Sequence, residues 1–186
     1  MLQFGFEEWM LAAIVPATLY ASWNDFRFHR VPNWLNATIA MTGLATQMFC
    51  FGWPGLKTGL LGILAGFSLL ILLWLMNAMG AGDVKFMAAL GAWLGPQMTF
   101  YAVVVGGLFG GAMALAIVAY QRSWLRTFMN LNLVFTKLSS TKTAFSDFGS
   151  ARKLNESSVA LPYAIPLTIG TLFILVSNYS GWWEVL

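Results

Sequence analysis

The chain is poor in the residues that most enzymes rely on. It has one cysteine, Cys50, and one histidine, His29, among 186 residues. One cysteine closes no intramolecular disulfide and builds no zinc-thiolate site. One histidine excludes a metal site made of histidines and any triad that draws on another. Charge is scarce as well: 9% of residues are charged, where soluble domains carry about 25%. Only seven residues are acidic. What fills the chain is apolar, 59% of it, with a mean hydropathy of +0.71. This composition excludes a globular domain around one large core and predicts a polytopic membrane protein. The net charge of +3 does not point to nucleic acid, because the basic residues lie between apolar runs and form no dense patch. The first eight residues hold Glu7 and Glu8 and no basic group. They lack the positive region of a secretory signal, so the first apolar run is expected to stay in the mature protein.

A membrane-spanning helix needs about 20 mainly apolar residues. Six runs are predicted as spans, at roughly 7–24, 34–51, 57–79, 83–94, 98–120 and 159–179, the fourth being short. Pro16 predicts a kink in the first. Gly52-Trp53-Pro54-Gly55 predicts a turn, Gly80-Ala81-Gly82 breaks the third run from the fourth, and Gly95-Pro96 ends the fourth. The expected fold is all-α, one membrane-embedded domain over residues 1–186. Nine of the ten basic residues fall in the three connections on one side: Arg27 and Arg30, then Lys85, then six between Arg122 and Lys153. Only Lys57 is on the other side. The positive-inside rule makes the basic side cytoplasmic and puts both termini on the opposite side.

Within the cytoplasmic connection 121–158, Trp124, Leu125, Phe128, Leu131, Phe135 and Leu138 recur at three- and four-residue steps, which predicts an interfacial amphipathic helix. Residues 139–158 read as a solvated loop. Glycines four apart (Gly55/Gly59, Gly62/Gly66, Gly91/Gly95, Gly106/Gly110, Gly107/Gly111) predict close helix packing within one bundle. Trp9, Trp23, Trp34, Trp53, Trp182 and Trp183 read as interface belts.

Two acids stand out. Asp25 follows the first span and Asp83 opens the fourth, so the basic residues alone place both at the cytoplasmic face. Taken singly, each reads best as structural. Asp83 after glycine is a good helix N-cap, and Asp25 has Arg27 and Arg30 as ion-pair partners. Taken together they are the minimal equipment of an aspartic protease. Two adjacent carboxylates share a proton, one acting as base on a water and the other donating to the scissile carbonyl. No metal, cofactor or histidine is needed. Around them, Lys85 reads mainly as a positive-inside anchor, and His29 as an interfacial histidine four residues from Asp25. Asn33 is expected to cap the second span, and Asn77 to hydrogen-bond between helices.

The residues Gly80-Ala81-Gly82-Asp83 match the G-x-G-D motif of membrane aspartic peptidases. Asp25, followed by Arg27 and by Arg30-Val31-Pro32-Asn33, resembles the first-aspartate segment of type IV prepilin peptidases. The combined pattern covers nearly the whole chain and looks most like the small Tad/Flp-type members. The resemblance implies Asp25 and Asp83 as the catalytic pair, with Gly80, Gly82, Lys85, Arg27 and Asn33 in support. It implies a bacterial inner membrane, with both termini periplasmic, and cleavage of the basic leader of Flp-like prepilins or pseudopilins, after a glycine and at the cytoplasmic face, beside membrane lipids. Larger relatives carry two C-x-x-C pairs linked to methylation of the mature pilin, and this sequence has none. Leu161-Pro162-Tyr163-Ala164-Ile165-Pro166 resembles the family's P-Y-G element, with Ala164 where glycine is usual.

Two other classes compete. One is a small proton- or cation-coupled transporter using Asp25 and Asp83. The other is an assembly scaffold in which both are caps and ion-pair partners. Transporter sites tend to lie at mid-membrane between related repeats. Here the acids share one face and no internal repeat is evident.

Overall fold

A computed structural model of the chain describes residues 2–28, 30–75, 79–120 and 163–180. Among these residues every regular element is an α-helix: α1 (Leu2–Phe28), α2 (Asn33–Leu75), α3 (Ala81–Tyr120) and α4 (Ala164–Tyr179). The chain divides into two units, Met1–Gly110 with Pro162–Leu186, and Gly111–Leu161. Of the second, the described part is the end of α3. The glycine crossings and the candidate site belong to the first. The expected amphipathic helix, the 139–158 loop, His29, Asn77, Trp182 and Trp183 lie outside the described residues.

Helix α1 runs unbroken through Pro16 and past the polar stretch at Asn24 and Asp25. Polar residues alone do not stop a helix. Pro32 does, because the residue before a proline is pushed out of the helical region. Within α2 only Gly52 leaves helical geometry (φ 64°, ψ −144°), and within α3 only Gly95 does (φ 71°, ψ 174°). Each is followed by a proline in the first turn of the next limb, Pro54 and Pro96, where the missing N–H is not needed. The turn expected over 52–55 is thus a single-residue break. At Gly52 the chain folds back: a Cβ on Gly55 would strike the Gln47 carbonyl, and one on Gly59 would lie 2.9 Å from Leu44. The two limbs of α2, 33–51 and 53–75, are therefore neighbours.

Positive φ with these ψ values is nearly confined to glycine and costs other residues about 1–3 kcal/mol. Gly52→Ala is expected to lose that backbone term alone, since none of the described residues lies within 4 Å of the added carbon. Gly95→Ala should lose more, because its Cβ would also meet Thr58 Cγ2 at 2.9 Å. Thermal unfolding in detergent checks the order, with the wild type highest and Gly95→Ala lowest; equal Tm values would refute it.

The first limb of α3, residues 81–94, is the centre of the bundle. Phe86, Met87, Leu90, Trp93 and Leu94 are all buried. Short for a span, this limb is enclosed by its neighbours. On one side lies the first limb of α2, where the Trp93 indole N–H donates to the Ile39 carbonyl at 3.0 Å and the Gln47 amide donates to the Trp93 carbonyl at 3.2 Å. On another side lies the second limb of α2. There Gly62 and Gly91 bring two backbones into contact, and a Cβ on Gly66 would sit 2.7 Å from the Met87 carbonyl. The second limb of α3 meets α4 through Gly106 and Gly170, where an added Cβ on Gly170 would lie 2.5 Å from Ala102 O. Close packing at glycine thus holds at these positions. Among the described residues it fails at Gly107 and Gly111, which have nothing within 4 Å of an added Cβ, and Gly55 serves the fold-back instead of a helix crossing.

The outer surface is apolar. Phe49, Leu108, Met41 and Leu72 are exposed, as are Trp9, Trp23, Trp34 and Trp53. Stretches Asn33–Leu75 and Ala81–Ile117 are long and apolar enough to cross a membrane. In water such a surface would drive association. A groove of about 950 Å³ runs between α1 and the first limb of α2, with Trp93 among its lining. Its threonines turn their hydroxyls to their own helix, Thr42 to Thr38 O at 2.7 Å and Thr46 to Thr42 O at 2.8 Å, so the wall presents methyl groups.

Candidate active site

One face of α1 is buried along its length: Met10, Ile14, Thr18, Ala21 and Asp25, at steps of three and four. Asp25 is the last of this row and only 4% exposed. The same spacing that buries Ile14 buries the carboxylate one face-length later. It packs on the start of α4, where the backbone N–H of Ala164 donates to Asp25 Oδ2 at 3.1 Å. That N–H belongs to the first turn of a helix, which has no intrahelical acceptor and carries the positive end of the helix dipole. Ala164 replaces the usual glycine of the resemblance, yet its backbone makes this contact and its methyl is fully buried.

Asp83 sits in the first turn of α3 and is 7% exposed. Its backbone N–H and that of Val84 donate to the Gly80 carbonyl, at 3.2 and 3.5 Å. The Gly80 backbone in turn hydrogen-bonds the Asp83 side chain. The side-chain contact is one half of a capping box, the half in which the third helical residue reaches back to the cap backbone; glycine has no side chain to supply the other half. The cap position is therefore Gly80, and Asp83 stands three residues inside, which corrects the expectation of Asp83 as the N-cap. A Cβ on Gly80 would lie 3.2 Å from Asp83 Oδ2, a tight contact with the carboxylate itself. Gly82 faces Val31 of the α1–α2 connection, its nearest neighbours 3.7–3.8 Å from an added Cβ.

Three segments thus converge: the end of α1, the start of α3 and the start of α4. The Asp25 and Asp83 carboxylates are near enough for their charges to act on each other. Tyr163, half-buried beside Ala164, lies within reach of the Asp83 charge. Among the described residues no three His, Cys, Asp or Glu side chains gather as metal ligands would.

The other expected site residues lie at the rim. Arg27 is exposed, its guanidinium 5.7 Å from the Phe28 ring centroid. Lys85 is exposed and reaches Asn33 Oδ1 at 3.5 Å, which ties the start of α3 to the start of α2. Asn33 is the first helical residue of α2 and so does not cap it; Asn36 N–H bonds instead to the Pro32 carbonyl. The long, solvated Lys85 contact is worth little, so Lys85→Ala is expected to change stability by no more than about 0.5 kcal/mol. A denaturation midpoint shifted well beyond that would show a larger role.

Sequence reading missed three residues. Ser22 and Thr168 are joined across α1 and α4 by a 2.7 Å hydrogen bond. The signal on α1 was a pair of hydroxyls one turn apart, Thr18 on the row that ends at Asp25 and Ser22 beside it. Asn36 is 6% exposed, and among the described residues neither amide atom has a hydrogen-bond partner. Nothing in the sequence separates it from a lipid-facing or capping asparagine.

The profile of the type IV leader peptidase family matches residues 12–115. Two curated relatives, both prepilin leader peptidase/N-methyltransferases of Burkholderia pseudomallei, from strains 1026b and K96243, are each 32% identical over 120 residues. The match covers 58% of this chain and 38% of each relative, so the chain spans well under half the length of the proteins it resembles. No solved structure matches. The matched segment takes in both aspartates, the α1–α2 connection and the Gly80–Asp83 turn, and the chain belongs to the type IV leader peptidase family.

Proposed function

We propose that the protein is an aspartic endopeptidase that removes the leader from type IV prepilins of the Flp-like kind. The observation that carries the reading is the meeting of Asp25 and Asp83. Both are buried in an apolar bundle, at one end of it, each bonded to a backbone group of another turn or helix. Two such carboxylates hold one proton between them. The ionised one takes a proton from a water, whose oxygen attacks the scissile carbonyl carbon. The protonated one gives its proton to the carbonyl oxygen. The tetrahedral adduct then collapses, breaking the C–N bond as the amine leaves with a proton.

The cut after a glycine, the basic leader and the cytoplasmic side of an inner membrane complete the proposal. So do six spans with periplasmic termini, supported by the two-limbed form of α2 and α3. At 1.5 Å per residue, α2 is about twice as long as a bilayer core is thick. The proposal is for peptidase activity, since the cysteine pairs that the resemblance links to methylation are not in this sequence. The test is co-expression with a Flp-like prepilin and measurement of pilin size on a gel, with wild type and with each aspartate replaced by asparagine. Proton- or cation-coupled flux in liposomes, lost on the same substitutions, would favour a transporter instead.

A further inference from the structure

We propose that Ser22 and Thr168 form a latch that positions Asp25 for catalysis; the inference rests on the peptidase reading of Asp25. Ser22 Oγ donates to Thr168 Oγ1 at 2.7 Å, and Thr168 Oγ1 donates to the Thr18 carbonyl at 3.3 Å. Ser22 Oγ also lies 3.4 Å from the Ala164 carbonyl. The hydroxyls form a directed chain from α1 to α4 and back to α1. Thr168 is 4% exposed and Thr18 is fully buried.

Adhesion between the two helices does not require this chain. Ile14, Ala21, Leu167, Ile174 and Leu175 are buried beside it and supply apolar contact. Apolar packing is also tolerant of sliding, because its energy changes little with small shifts along the axis. Hydrogen bonds are not tolerant, since they weaken steeply outside a narrow range of distance and angle. The latch therefore fixes the register of α4 against α1. That register places the Ala164 N–H 3.1 Å from Asp25 Oδ2, one turn from the latch on both helices. A slip of one residue moves the donor by about 1.5 Å, enough to break the contact. Gly106 and Gly170 clamp the other side of α4, so the latch sets an already confined helix. Neither hydroxyl touches the reacting atoms; both act through the Asp25 carboxylate.

The experiment uses the full chain in detergent with a purified prepilin, and compares Ser22→Ala, Thr168→Val, the double variant and Ser22→Thr. Each single variant is expected to lower kcat between about fivefold and a hundredfold, with KM within about twofold. The double variant should fall no further than the worse single one, because both remove the same bond. Ser22→Thr keeps the hydroxyl and should recover most of the rate. Unchanged kcat in Ser22→Ala overturns the latch, as do additive losses in the double variant. So does a loss that tracks only the fraction of folded protein by thermal unfolding. An Asp25→Asn control separates the two levels. If Asp25→Asn still cleaves, the peptidase reading fails. If Asp25→Asn is inactive and Ser22→Ala is not, only the latch fails.

Discussion

Asp25→Asn and Asp83→Asn are each expected to leave a co-expressed prepilin at precursor size while the variant protein accumulates in the membrane as the wild type does. Asparagine has the shape of aspartate and keeps one oxygen acceptor. At position 25 that oxygen can still accept from Ala164 N–H, and at position 83 it can still meet the Gly80 backbone. Folding is therefore spared, while the ability to exchange a proton is lost. A positioned acid or base contributes roughly 10²–10⁴-fold to rate. Because the two carboxylates share one task, the double variant should be little worse than either single one. Pulse-labelling of the pilin, with quantification of precursor and mature bands, measures this. Processing at the wild-type rate by either variant would remove the dyad from consideration, whatever the fate of the other.

Gly62→Ala is expected to be the most damaging single methyl group in the bundle. The added carbon would run into the Gly91 carbonyl, and the reciprocal change at Gly91 would run into Gly62. The obstacle is backbone on both sides, so no rotamer change relieves it and the limbs must move apart. Overpacking typically costs about 1–3 kcal/mol, and at a backbone-to-backbone crossing the upper part of that range applies. Separation here would also loosen 81–94, the limb that carries Asp83 at its start. Gly107→Ala is the matched control, because none of the described residues lies within 4 Å of its added methyl. Membrane accumulation and thermal unfolding in detergent should fall sharply for Gly62→Ala and stay near wild type for Gly107→Ala. Equal behaviour of the two would show that the crossing is not tight.

Sequence spacing identified Gly62 and Gly107 by the same rule, and among the described residues only Gly62 packs. A small-residue repeat states that a helix is able to approach a neighbour closely. Which neighbour is present at that height depends on where the chain folds back, at Gly52 and Gly95. Asn33 shows the same limit on a smaller scale. Its type suits a helix cap, but Pro32 starts the helix one residue earlier and Asn33 is left to accept from Lys85.

The aspartates show the opposite case. Their scarcity in an apolar chain and the placement of basic residues brought them to one end before any fold was known. Cost explains why this works: an ionisable group in lipid is expensive, so few are kept and each is informative. What surrounds them was not legible. The Ala164 N–H on Asp25 joins residues 139 apart in sequence, and the Ser22–Thr168 bond joins residues 146 apart. Hydropathy treats serine and threonine in an apolar run as mild exceptions and gives no partner.

By itself, the sequence determined the helical, lipid-compatible character of the described residues and where their helices break, and it singled out Asp25 and Asp83 as the pair to examine. Composition and local periodicity suffice for that, because burial in lipid and helical geometry act over a few residues at a time. The tertiary structure alone decided which glycines make crossings, that Gly80 and not Asp83 caps α3, and that the start of α4 closes on Asp25. Those outcomes depend on the register between helices distant in sequence, which only the folded packing sets.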